Sequence, residues 1–142
     1  MSRESRRLAG VLLVLLPTVI IGGVSILTLL IRDPAYAANK LRQDLWRAGH
    51  AHAGVLLLLS LVMLRYVDEA RLSAGWRWVA RVSAPAAAIL LPVAYFFSVL
   101  TPDATEPNGV ISLAYVGAGV LALGLLALGV GLLRGPNEGN PV

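Results

Sequence analysis

Residues 8–31 read LAGVLLVLLPTVIIGGVSILTLLI, twenty-four consecutive positions without a charge, held between Arg7 and Arg32. As a helix rising 1.5 Å per residue the run extends about 36 Å, enough to cross the roughly 30 Å hydrocarbon core of a bilayer. Three further segments of the 142-residue chain approach the same length and apolarity, at about 48–65, 79–100 and 109–133. None alternates apolar and polar residues in the manner of a barrel strand, so helices are the remaining way to satisfy a backbone in lipid. The expected fold class is all-α: a polytopic membrane protein, one transmembrane domain over 1–142, folded as a four-transmembrane-helix bundle.

Composition agrees. Hydrophobic residues make up 57% and charged residues 14%, with a mean hydropathy of +0.74. Soluble domains carry about 45–50% apolar and about 25% charged residues, so an ordinary soluble domain and a disordered chain are both excluded. The absence of cysteine removes disulfides, thiolate metal sites and thiol nucleophiles. The net charge of +4 sets eleven arginines and one lysine against eight acidic residues, the cations scattered in short segments between the apolar runs. With no basic stripe or recognition motif, nucleic acid is not an expected partner. The arginine preference hints at a GC-rich bacterial genome, and hence at a multi-pass protein of the bacterial cytoplasmic (inner) membrane.

The same charges choose an orientation, because arginine and lysine concentrate on the cytoplasmic side. Arg3, Arg6, Arg7, Arg65, Arg71, Arg77, Arg81 and Arg134 fall on one side of the four spans; Arg32, Lys40, Arg42 and Arg47 fall on the other. Both termini are therefore expected in the cytoplasm. Arg3, Arg6 and Arg7 followed by an apolar run also resemble a signal peptide, but the run far exceeds the 7–15 residues of a signal core, so it reads as a retained anchor. Residues 34–46 read as a short interfacial helix, Tyr66, Trp76 and Trp78 as an aromatic belt, and 135–142 as a flexible tail.

Chemistry concentrates in the second span. Arg47 and Arg65 lie so close in sequence that the span must draw His50 and His52 below the headgroups, where an ionisable side chain is a functional hypothesis by default. Residues two apart point roughly 200° from one another on a helix, so the pair cannot grip one ion in the manner of His-Glu-x-x-His. Each imidazole serves its own side. Small neighbours, Ala48, Gly49, Ala51, Ala53 and Gly54, leave room for a flat cofactor. Tyr95 on the third span and Tyr115 on the fourth fall at a similar depth and are expected to line one outer-leaflet cavity with the histidines. Capping, interfacial anchoring and close helix packing are the ordinary roles of such residues.

The segment Gly49-His50-Ala51-His52-Ala53-Gly54-Val55-Leu56 resembles the His-x-His helix of haem–copper oxidase catalytic subunits, the cbb3-type pattern in particular. The resemblance covers eight residues and implies haem as cofactor, with His50 and His52 as axial ligands on opposite helix faces. Those subunits have many more helices and further histidines, whereas this chain has four spans and two histidines. Oxygen reduction by this chain alone is not expected. The reading is a haem- or metal-binding membrane protein, no enzyme on its own, serving as an accessory subunit of a respiratory redox complex.

Gly117, Gly124 and Gly131 recur every seven residues along the fourth span, which keeps them on one seam facing another helix. An alternative function follows from that seam: a structural or assembly subunit packing against other membrane subunits or a second copy. A small channel or transporter is the third reading, disfavoured by the few polar residues in the cytoplasmic half of the spans. Phosphate loops, dinucleotide fingerprints and Ser-His-Asp sets are absent from the sequence. The bilayer itself is the remaining partner.

Overall fold

Ser2 accepts a hydrogen bond from the Ser5 amide and starts α1, Arg3–Arg32, which continues through Pro17 without a break. The computed structural model describes residues 1–135, so all but the first residue of the expected flexible tail lies outside the described residues. Four more α-helices follow: α2 (Pro34–Ala38), α3 (Lys40–Tyr66), α4 (Ala74–Phe97) and α5 (Leu113–Leu133), the last preceded by a 3-10 turn over Gly109–Ser112. Four of them, taking the turn with α5, are long and apolar enough to cross a membrane. Among the described residues there is no strand.

The interfacial helix expected over 34–46 is divided. Asn39 leaves the helical region (φ −98°, ψ 94°) and its side-chain oxygen accepts from the Arg42 amide, so a new helix begins at Lys40. Its Nδ2 donates to the carbonyls of Pro102 and Ala104, tying this corner to the loop after α4. Residues 40–46 thus form the first two turns of α3. The third span also starts earlier than expected, because Ser73 caps it and carries Trp76, Arg77 and Trp78 onto the first turns of α4. The expected start near 79 omits this first turn because Arg77 interrupts the apolar run.

α3 and α4 pack extensively on each other, α5 packs on α4, and α1 packs on α3. The long helices therefore lie in the order α1–α3–α4–α5, an open bundle with α1 and α5 on its flanks. Two buried clusters bind the centre: Met63, Val67, Ala70, Ala80, Ala84 and Leu128 toward one end, Leu56, Ala87 and Leu91 toward the middle. In α4 39% of the apolar window is buried, in α1 only 6%.

The glycine seam on α5 is filled from within the chain. A Cβ at Gly124 would overlap the side chain of Ser83, one at Gly117 would overlap Leu91, and one at Gly131 would lie 2.7 Å from Leu72 Cγ. All three glycines are buried. The seam faces α4 and the turn before it, which removes it as a surface for docking another subunit.

The ends of the helices pair as alternating spans require. Ser2, the 67–73 turn and the end of α5 share one end, joined by Ser2 N–H to Asp68 (2.6 Å) and Arg71 N–H to the Gly131 carbonyl (2.9 Å). Asn39 and the 98–108 loop share the other.

Candidate functional site

α3 carries both histidines, and its neighbours decide what each ring meets. His50 turns toward α1 and lies on the Gly22–Gly23 pair, where a Cβ on Gly23 would come 3.0 Å from Nε2 and one on Gly22 3.6 Å from Nδ1. The two glycines open the space its ring occupies. His52 turns toward α4, its ring centroid 5.2 Å from that of Tyr95. The structure thus places the rings on different neighbours, as the spacing of two residues requires.

His52 is the better prepared ligand. Its Nδ1 lies 2.7 Å from the Ala48 carbonyl, an oxygen that can only accept, so Nδ1 carries the proton. In the neutral imidazole Nε2 then keeps its lone pair. A backbone carbonyl fixing one nitrogen so that the other can ligate is the usual second partner of a ligating histidine. Among the described residues His50 has no such orienting bond, and α1 stands against its ring edge.

Tyr95 joins the site and Tyr115 does not. Tyr95 lies two residues before the end of α4, beside His52 and packed over Gly49, whose Cβ would meet Tyr95 and Phe96 at 3.0–3.2 Å. Tyr115 is 79% exposed on α5, a helix that packs on α4 and scarcely touches α3. The expected four-residue cavity is therefore a two-residue contact, His52–Tyr95, with His50 on another flank. Among the described residues no three of His, Asp and Glu come together as a possible ion site. A caged metal ion has no donor set here, whereas a haem requires the protein to supply only one or two axial donors.

Charge-count reasoning missed two polar clusters. At the end of the bundle that holds Asn39 and the 98–108 loop, Arg42 is buried: its Nε donates to the Val99 carbonyl (3.0 Å), Nη2 donates to that of Leu100 (3.1 Å), and its guanidinium stacks 4.7 Å from the Trp46 ring. Trp46 donates to the Phe96 carbonyl, and Gln43 donates to those of Tyr36 and Ala37. These bonds hold α2 and the end of α4 on the first turns of α3 and so fix the height of His52 against Tyr95. Burial pushes the Tyr36 hydroxyl up from its ordinary pKa, against the pull of Arg47 and Arg42, and that hydroxyl has no hydrogen-bond partner among the described residues.

At the opposite end Arg81 is buried and fully engaged. It donates to Ser5 Oγ (3.1 Å), Glu4 Oε2 (2.5 Å) and Asp68 Oδ1 (2.9 Å), which fastens α1 to α4 and to the turn after α3. Burial pushes the Asp68 carboxyl up, but the Ser2 amide, the Ser5 and Ser2 hydroxyls and the Arg81 guanidinium outweigh it and hold the group below the usual carboxylate range. Only the Asn39 cap had a readable local signal; Arg81 and Arg42 find their partners through distant segments.

Compared with known proteins, the chain matches no family model, no curated protein and no solved structure.

Proposed function

We propose that this chain is a multi-pass membrane protein that holds a haem through His52, with Tyr95 beside it, and serves as an accessory subunit of a redox complex in a bacterial inner membrane. The observation that carries the reading is the His52 Nδ1–H bond to the Ala48 carbonyl, which leaves Nε2 free to ligate. The group fits in part. His52 has the tautomer and the aromatic neighbour a haem ligand needs, whereas a macrocycle at His50 would have to displace Gly22 and Gly23 of α1. The arrangement with one haem on each histidine, implied by the oxidase resemblance, is thus reduced to one axial ligand.

A bound haem would supply one-electron transfer at the outer half of the membrane; the chain contributes an oriented imidazole, an aromatic wall and a mostly apolar surround. The orientation with both termini cytoplasmic follows from the arginine distribution and puts the His52–Tyr95 level in the outer leaflet. Full-length protein purified from haem-replete cells is expected to show a Soret band that His52→Ala abolishes and His50→Ala retains. A colourless preparation overturns the reading, as does a band that survives His52→Ala.

A further inference from the structure

α1 and α4 share a face that changes character along its length. On α4 the residues Arg77, Arg81, Pro85 and Ala88 follow one another at helical spacing on one stripe. On α1 the matching stripe is Glu4, Leu8, Leu12, Leu15 and Val19. Toward the end that bears the chain's N-terminus the stripes border an open polar pocket of about 550 Å³, rimmed by Arg3, Arg77 and Trp78. One turn further on they enclose an apolar groove of about 340 Å³, floored by Ala53 and Leu57 of α3. Arg81, crossing to Glu4 and Ser5, marks the boundary.

The charges at the polar end are unbalanced. Both carboxylates of the pocket, Glu4 and Asp68, are occupied by Arg81. Among the described residues neither Arg3 nor Arg77 has a carboxylate within ion-pair distance, and Arg77 Nε is buried without a hydrogen-bond partner although Nη2 donates to the Leu72 carbonyl. An anion therefore meets two guanidiniums with no carboxylate partner among the described residues, beside Trp78, and an alkyl chain attached to it meets the groove. Guanidinium groups bind phosphate oxygens with charge-assisted bonds, and arginines at the membrane surface recognise anionic headgroups.

We propose that this face binds one anionic phospholipid, its phosphate at Arg77 and Arg3 and one acyl chain along the α1–α4 groove. The lipid fastens α1, the most weakly buried span, to the rest of the molecule. The proposal is independent of the histidines and goes beyond the cofactor reading.

The test is native mass spectrometry of the full chain released from nanodiscs of equimolar phosphatidylglycerol and phosphatidylcholine. Retention of one phosphatidylglycerol is expected, and Arg77→Gln should lower the preference over phosphatidylcholine about fivefold, the worth of one arginine at an anionic surface. Val11→Trp, at an exposed position lining the groove, should expel lipids of both headgroups without unfolding the chain. Equal retention of the two lipids by the unsubstituted chain overturns the proposal. So does displacement of the lipid by glycerol phosphate alone, which would place the site in the pocket without the groove. A lipid-free dimer closed by the same face also overturns it.

Discussion

The two flanking helices, α1 and α5, are both glycine-bearing and both highly apolar, yet they are attached in different ways. α5 is attached by removal of atoms: Gly117, Gly124 and Gly131 let its backbone settle onto Leu91, Ser83 and Leu72 so closely that the Cβ atoms of alanines would overlap at the first two. α1 is attached by a polar latch at one end, through Arg81, and by the His50 ring resting on Gly22–Gly23 toward the other. In lipid an apolar side chain gains little by moving from acyl chains to a neighbouring helix, so close packing and hydrogen bonds decide association. A helix held by close approach tolerates no added volume along its seam, and one latched by a single arginine depends on that arginine.

That difference predicts the largest effect at Gly124. Leucine there must displace Ser83 and with it the α4–α5 packing, an overpacking cost at the upper end of the usual range, about 3 kcal/mol. Gly119, on the same helix with open space around it, provides the control: Gly119→Ala should leave the melting temperature in detergent unchanged. Equal tolerance of both substitutions would break the contrast between the helices.

Arg81 is the corresponding point on α1. Arg81→Met keeps the length of the stem but leaves Asp68 largely buried without its cation, and should cost about 2 kcal/mol, the loss typical of hydrogen bonds to charged groups. Protease access to the first turns of α1 reports the detachment. Acid probes the same latch more gently. The Asp68 carboxyl is held below its ordinary pKa, so its stabilisation is complete above about pH 4 and is lost as pH falls through the lowered folded-state value. Asp68→Asn should flatten that acid limb of the melting curve; an unchanged limb would assign the loss to other carboxylates.

The four long apolar helices could be read directly from length and apolarity, since each runs the length a bilayer crossing needs. Their partners could not. The periodicity of Gly117, Gly124 and Gly131 announces a close approach but does not say that Ser83 supplies the other side. Arg81 counted only as a positive charge because Glu4 and Asp68, which bury it, lie 77 and 13 residues away. Tyr115 and Tyr95 share a depth in the sequence, but depth leaves rotation about the helix undetermined, and rotation puts Tyr115 on the exposed side of α5. At the histidines the spacing of two residues was enough to separate the rings. What it left open was which ring would be oriented by a backbone carbonyl.

The smallest effect is expected at Gly23, and it bears on both α1 and the site. Alanine there brings a methyl to 3.0 Å from His50 Nε2 and 3.1 Å from Cε1, so the imidazole must shift by a few tenths of an ångström. The ring is the movable end of a side chain, and the cost should stay below about 1 kcal/mol, the low end of an overpacking penalty. If the contact is the cause, the cost disappears when Gly23→Ala is combined with His50→Ala, which a double-mutant cycle on melting temperature measures. The spectrum gives an independent readout. A haem held by His52 would lie on the α4 side of α3, the side its ring faces, so Gly23→Ala should leave its Soret maximum where it was. A displaced maximum would move the ligand to His50 and make the α1 contact, rather than the Ala48 carbonyl, the element that orients it.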